Sequence, residues 1–321
     1  MTSSASPAAK PRWRRRLRRL GPKLHHRLTG LWRELRGALV NRLGGARVVG
    51  DDARAPVVCL TSHGQRLSRV HLTLESIAAG QCKPSRLVLW LDAEWQARAL
   101  PPTLQRLQRR GLELGFAAAG ERLGPHTKYF PYVRTQARHV AALVTADDDM
   151  LYPPDWLARL WQAHREQPAH VHCVRAWQLQ LDGAGQIAPY ARWPGCHHTR
   201  PSALNFATGV SGVIYPPAFA DFLREAGTAF LDCCPRADDV WLHACALRAG
   251  RSVRQIGSDP LHFPEVLGAR RTALHKSNVR NLGNDAQIRA TYTAADLARL
   301  RQCAALEGEH AAAARASPSP R

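Results

Sequence analysis

Five aspartates in two clusters are the residues of this chain best suited to chemistry. The first cluster is Asp147-Asp148-Asp149 in TADDDMLYPPDWL (145–157), where an apolar run ends in three carboxylates before a proline turn. The second is Asp238-Asp239 in RADDVWLHACALRAGRSV (236–253), at the head of a largely apolar helical stretch. Adjacent carboxylates repel, which raises their pKa values unless a cation or hydrogen-bond donors offset it. Two readings of the triplet are open. Asp and Pro form ordinary solvated turns, whereas Mg²⁺ and Mn²⁺ take hard oxygen ligands and often share them with phosphates. The pair is open in the same way: Asp caps helix N-termini, and one of the two can cap while the other faces a cleft.

The surrounding elements tip the balance toward a site. APVVCLTS (55–62), RLVLWLD (86–92), GLELGF (111–116) and AALVTADDD (141–149) read as buried strands, with helical stretches at 66–80 and 95–110 between them. This alternation predicts an α/β fold with a Rossmann-like, mostly parallel, doubly wound sheet flanked by helices. Such sheets collect ligands beyond the carboxyl ends of their strands. Thr61, Ser62, Asp92 and the triplet all fall at predicted strand ends. Other enzyme classes are disfavoured. No G-x-G-x-x-G follows the first strand and no G-x-x-x-x-G-K-[ST] occurs. TGVSGVIY (208–215) lacks the spacing of a serine nucleophile elbow.

The chain has 321 residues, 45% of them apolar, and a formal net charge of +20. Residues 1–50 hold 13 Lys or Arg against the single acid Glu34, so a basic arm precedes a less extreme body. Within the arm Leu24, Leu28, Leu31, Leu35 and Leu39 recur at three- and four-residue steps beside Trp32, which predicts an amphipathic helix. Its leucine face suits an anionic membrane surface, over residues 13–43, or packing on the body. Non-specific nucleic-acid binding through the cations is the third reading; specific nucleic-acid recognition is not expected. Eight cysteines without C-x-x-C spacing fit a reduced setting. With no signal-peptide pattern and no run long enough to span a bilayer, the expected location is cytoplasmic, peripheral on the inner membrane face.

The order of these features resembles the inverting, nucleotide-sugar-dependent glycosyltransferases of the GT-A fold, family-2-like enzymes in particular. VVCLTSHGQR is similar to their first strand and polar loop, and LVLWLD to the strand whose final Asp, here Asp92, contacts the base. Asp147-Asp148-Asp149 looks like their D-x-D element, followed by a literal Pro154-Asp155-Trp156-Leu157. Asp238-Asp239-Val240-Trp241 and RAGRSV resemble their acidic pair and tail. The resemblance covers residues 55–265, while the R/Q-x-x-R-W element of processive members is absent.

The resemblance implies a nucleoside-diphosphate sugar donor, a glycan or lipid-linked acceptor, and Mn²⁺ or Mg²⁺ held by Asp147 or Asp149. Asp239 is then the base and Asp238 an orienting or capping residue, with Asp148 hydrogen-bonding the ribose or pointing elsewhere. Thr61, Ser62 and Arg66 would line the nucleotide loop. Lys128 would meet a phosphate or lie on the surface, and His262 would be a third metal ligand, a phosphate contact or a structural residue. Tyr190, Trp193 and the Gly209–Gly212 loop would line the acceptor pocket, Trp193 being equally open to a core role. The rival is a non-catalytic membrane- or nucleic-acid-binding protein on the same scaffold. The expected organisation is an arm at 1–50, the GT-A domain at 51–265, a helical extension at 266–306 and a disordered tail at 307–321.

Overall fold

The computed structural model describes residues 12–268 and 283–316, with side chains over 27–268 and 283–309. Strands β1 (Val57–Thr61), β2 (Arg86–Leu91), β3 (Leu112–Phe116) and β4 (Leu143–Thr145) occupy the four predicted strand segments. Helices α1 (Arg12–Leu43), α2 (Val70–Ala78), α3 (Pro102–Arg109) and α4 (Phe130–Arg134) lie among them. The chain continues through α5 (Trp156–Glu166), β5 (Val171–Cys173), the ribbon β6 (Ala176–Gln178) and β7 (Asn205–Ala207), and β8 (Val213–Tyr215). It then runs through α6 (Pro217–Ala226), α7 (Phe230–Cys233), α8 (Asp238–Arg248) and β9 (Val253–Gln255). Two further helices follow, α9 (Gly283–Thr291) and α10 (Ala294–Ala316).

Among the described residues, seven strands form one sheet in the order β3-β2-β1-β4-β8-β5-β9, in which β8 alone runs against its neighbours. The mostly parallel, helix-flanked sheet is therefore present. Side chains alternate between its faces, as the pleat requires. Val57, Cys59, Val88 and Leu143 enter one core layer with α4, α6 and α8, whereas Val58, Leu60, Leu87 and Val144 enter the other with α2 and α3.

This topology dictates where the acidic clusters fall. Strand order reverses between β1 and β4, and that gap opens at the carboxyl edge of the sheet. The triplet leaves β4 at that edge. Because β8 is antiparallel, the loop that precedes it, Gly209–Gly212, arrives at the same edge. Helix α8 leads back to β9, which runs parallel to β5, so its first turn starts there as well. Asp147 and Asp239, 92 positions apart in sequence, are thereby brought to one edge.

Two expectations need correction. The core begins ahead of residue 51: Val48 is fully buried against the β1–β3 layer. The segment 307–316 is helical, since α10 continues to Ala316, and Glu307 accepts hydrogen bonds from Ser202 and Arg200. Residues 1–11, 269–282 and 317–321, including the start of the arm and part of the helical extension, lie outside the described residues.

Candidate active site

Each residue of the triplet is held differently. Asp147 accepts from Lys128 Nζ at 2.8 Å, and its own N–H donates to the buried Tyr152 hydroxyl at 2.9 Å. Asp148, 7% exposed, accepts from Ser62 Oγ at 2.5 Å and pairs with Arg66 at 2.8 Å. Asp149 also pairs with Arg66, whose Nε is buried without a partner. The backbone is pinned from behind: Thr73 Oγ1 of α2 donates to the Asp148 carbonyl at 2.9 Å, and Val266 N–H donates to the Asp149 carbonyl at 2.7 Å.

The pair sits on the first turn of α8, but neither carboxylate caps it; the N-cap is Ala237 and receives no side-chain hydrogen bond. The capping expectation for Asp238 is thus not met, because its carboxylate is drawn to Lys128 Nζ at 2.9 Å. Asp239 Oδ1 instead accepts from Gly209 N–H at 2.9 Å. The space at Gly209 is tight, since a Cβ there would stand 3.1 Å from Asp239 Oδ1 and 3.3 Å from Lys128 Nζ.

Lys128 is therefore not a surface lysine. It is buried between the clusters at the end of a 3₁₀ turn, Gly124–Lys128. Burial alone would lower its pKa, but Asp147, Asp238 and Asp239 together raise it well above the usual range. The turn is fixed by His126, whose Nε2 donates to the Cys234 carbonyl at 2.8 Å. Its Nδ1 must then accept from Tyr129 Oη at 2.9 Å, and burial pushes this imidazole down to about 4, so it is neutral.

The two clusters set five carboxylates against two directly paired cations, Arg66 and Lys128. The imbalance shows in the titration of the acids. Burial, with repulsion from Asp147, pushes Asp149 up to about 7 despite Arg66. Burial and Asp238 push Asp239 up to about 8 despite Lys128 and the Gly209 N–H. Asp148 is also raised by burial, with Arg66 and Ser62 opposing. Excess negative charge at a strand-edge cleft, beside an unsatisfied arginine N–H, suits a divalent cation and a phosphate-bearing ligand. Asp147 and Asp149 are the fitting donors, and Mg²⁺ commonly takes only one or two carboxylates, with substrate phosphates completing its shell.

The other expected residues divide. Thr61 Oγ1 donates to the Trp90 carbonyl at 2.9 Å, locking β1 to β2, and Asp92 is exposed at the carboxyl end of β2. Tyr190 lies beside Asp239: burial first, then the Asp239 charge, raise its phenol. Trp193 is not a pocket residue. It is 5% exposed and donates its indole N–H to the Ala188 carbonyl, so it backs Tyr190 from the core at a ring distance of 4.9 Å. Gly212 likewise faces inward; with φ +98° and Trp156 Nε1 2.5 Å from where a Cβ would be, it closes packing behind the cleft. His262 is exposed and bonds Glu265 at 3.1 Å, and among the described residues no three His, Cys, Asp or Glu side chains converge as ligands, so the set Asp147–Asp149–His262 is not assembled.

Three contributors carried no signal in the sequence. Tyr152 reads as core, yet its hydroxyl orients Asp147. Glu265 faces Asp149 and adds to its repulsion. Arg175 lies near Tyr190 and Asp239, both of which raise its pKa against the larger lowering by burial.

No family model matches the chain, and none of the curated proteins does. Among solved structures, it is similar to residues 1–349 of S. aureus TarS (17% identity, TM-score 0.45), over 65% of this chain and 60% of that one. It is also similar to 4-diphosphocytidyl-2C-methyl-D-erythritol synthase of Anaerococcus prevotii (11% identity, TM-score 0.41), over 63% of this chain and 88% of that one. The chain thus spans less than two thirds of the TarS fragment. Neither likeness is close enough to transfer a function.

Proposed function

We propose that this protein is a metal-dependent, inverting glycosyltransferase that moves a sugar from a nucleoside-diphosphate donor to a hydroxyl of a glycan or lipid-linked acceptor. The observation that carries the reading is the arrangement around Lys128, which ties the triplet at the end of β4 to the pair on α8. The diphosphate end of the donor lies at the triplet, where Arg66 and Lys128 supply positive charge. Mn²⁺ or Mg²⁺, held by Asp147 and Asp149, supplies Lewis-acid stabilisation of the leaving diphosphate when bound. Asp239, with Oδ1 fixed by the Gly209 N–H, has Oδ2 free to take the proton of the acceptor hydroxyl. A carboxyl near 8 is a stronger base than an ordinary aspartate and is still ionised in part at neutral pH. Asp238 orients Lys128, and Tyr190 and Arg175 flank the acceptor side. Attack by that hydroxyl on the face opposite the leaving group inverts the anomeric carbon.

Calorimetric titration of UDP and GDP, with and without Mn²⁺, tests the donor half. Binding of one nucleotide that depends on Mn²⁺ is expected; absence of any nucleotide binding would return the fold to a non-catalytic scaffold. Asp239→Asn keeps the Gly209 contact, so it should leave nucleotide Kd within about twofold while cutting turnover by about 10²–10⁴-fold. Normal turnover in that variant would remove Asp239 as the base, and the anomeric configuration of the product, read by NMR, distinguishes inversion from retention.

A further inference from the structure

Helix α1 carries its amphipathicity the wrong way round for a helix that only braces a domain. The side facing the body is built from small and polar residues. Gly30 meets Pro264, Gly37 meets α2 at Leu72 and Glu75, and Glu34 accepts from Arg69 and from the Leu267 N–H. Arg33 donates to the Leu151 carbonyl at 3.0 Å, and Asn41 donates to Glu75 and to the Thr103 carbonyl. These contacts satisfy the helix against α2 and the segment after the triplet without using its leucines.

The leucines point outward. Leu28, Leu31, Trp32, Leu35, Leu39 and Leu43 are 44–74% exposed and supply six of the eleven exposed large apolar side chains among the described residues. Their three- and four-residue spacing places them in one stripe, opposite Gly30, Gly37 and Asn41. Arg27, Arg36 and Arg42 are exposed beside it, with the Arg36 guanidinium 5.6 Å from the Trp32 ring centroid. Contiguous exposed apolar surface rimmed by charge marks an interaction face rather than an ordinary solvent face.

We infer that this leucine–tryptophan stripe is a docking surface for an anionic lipid bilayer, on which α1 lies in the plane of the interface. Charge selects the occupant. Residues 1–50 carry 13 Lys or Arg and one Glu, so a second copy would set two strongly positive arms against each other. A surface of anionic headgroups is complementary to that charge, and Leu and Trp are suited to the boundary just beneath it. Lying rather than spanning follows, since among the described residues no helix is long and apolar enough to cross a membrane. Arg33 ties α1 to Leu151, two residues beyond Asp149, so docking would hold the cleft at a fixed orientation to the bilayer. The inference stands apart from the transferase reading, because lipid binding needs no turnover.

The test is co-sedimentation of the full chain with vesicles of phosphatidylcholine alone or with 30% phosphatidylglycerol, for the wild type and for Leu35→Ser/Leu39→Ser, a variant that keeps every cation. Circular dichroism and size-exclusion light scattering are measured alongside. The wild type should partition at least tenfold more strongly to the anionic vesicles, and the folded variant should lose at least tenfold of that binding. Equal binding by the variant would reduce the effect to charge and overturn the stripe. No binding by the wild type would overturn the membrane, as would a wild-type dimer that the variant converts to monomer without changing vesicle binding.

Discussion

The two acidic clusters are held by different means. Asp147–Asp149 is fixed from all sides: Tyr152, Thr73 and Val266 hold its backbone, while Ser62, Arg66 and Lys128 hold its carboxylates. Asp238–Asp239 has one cation, Lys128, and one backbone donor, Gly209. The first arrangement makes a rigid platform on which a charged ligand can be placed. The second leaves a partly buried carboxylate with an unengaged oxygen, which is what a proton acceptor needs. Among the described residues, Lys128 is the side chain that forms ion pairs with both clusters, so the contrast depends on it most.

Replacing that cation should have the largest effect. Lys128→Met leaves Asp147 and Asp238 without their shared partner, and breaking a buried ion pair from one side costs about 3–5 kcal/mol. Urea unfolding at pH 8 measures this; a loss under about 1 kcal/mol would mean the clusters do not need the bridge.

A smaller effect is expected from pH. Carboxyls raised to about 7 and about 8, as in Asp149 and Asp239, bind their proton more tightly in the folded protein than in the unfolded chain. Their contribution to stability is full below the unfolded value of about 3.9 and is lost as pH rises through 7 and 8. The metal-free protein should therefore weaken between pH 5 and 8.5, and Asp239→Asn should flatten part of that slope, gaining about 1–3 kcal/mol at the alkaline end. An unchanged slope in the variant would show that Asp239 is ionised like an ordinary surface aspartate.

The finest test is Gly209→Ala. The added methyl presses on Asp239 Oδ1 and Lys128 Nζ by a few tenths of an ångström. Misplacing the base while sparing the platform should lower kcat by about tenfold and leave nucleotide Kd nearly unchanged. A matching loss in Kd would mean the two clusters respond as one unit.

The parallel half of the fold was legible because its strand runs are largely apolar and alternate with helical stretches, as RLVLWL does most clearly. The short strands β5 and β8 were not, since so few residues carry too little periodicity to separate from a loop. Among site residues, the aspartates announced themselves by type and position. Trp193 and Gly212 did not, because an aromatic or a glycine near a motif has the same letter whether it lines a pocket or packs behind one. The arm gave its spacing but not its orientation. Only contact with α2 through Gly37, Glu34 and Asn41 shows that the leucines face away.

What the sequence determined by itself is local: runs that must be strands, a helix with two unlike faces, and carboxylates at the ends of runs. These follow from side-chain chemistry and its period along the chain. Tertiary structure decided which distant groups share a volume. The reversal of strand order beside β1 and the antiparallel entry of β8 bring Lys128, Asp147, Gly209 and Asp239 to one edge of the sheet. The coupling of their charges, and the carboxyls raised by burial and repulsion, come from that placement, because electrostatic coupling depends on distance in space and burial, not on separation along the chain.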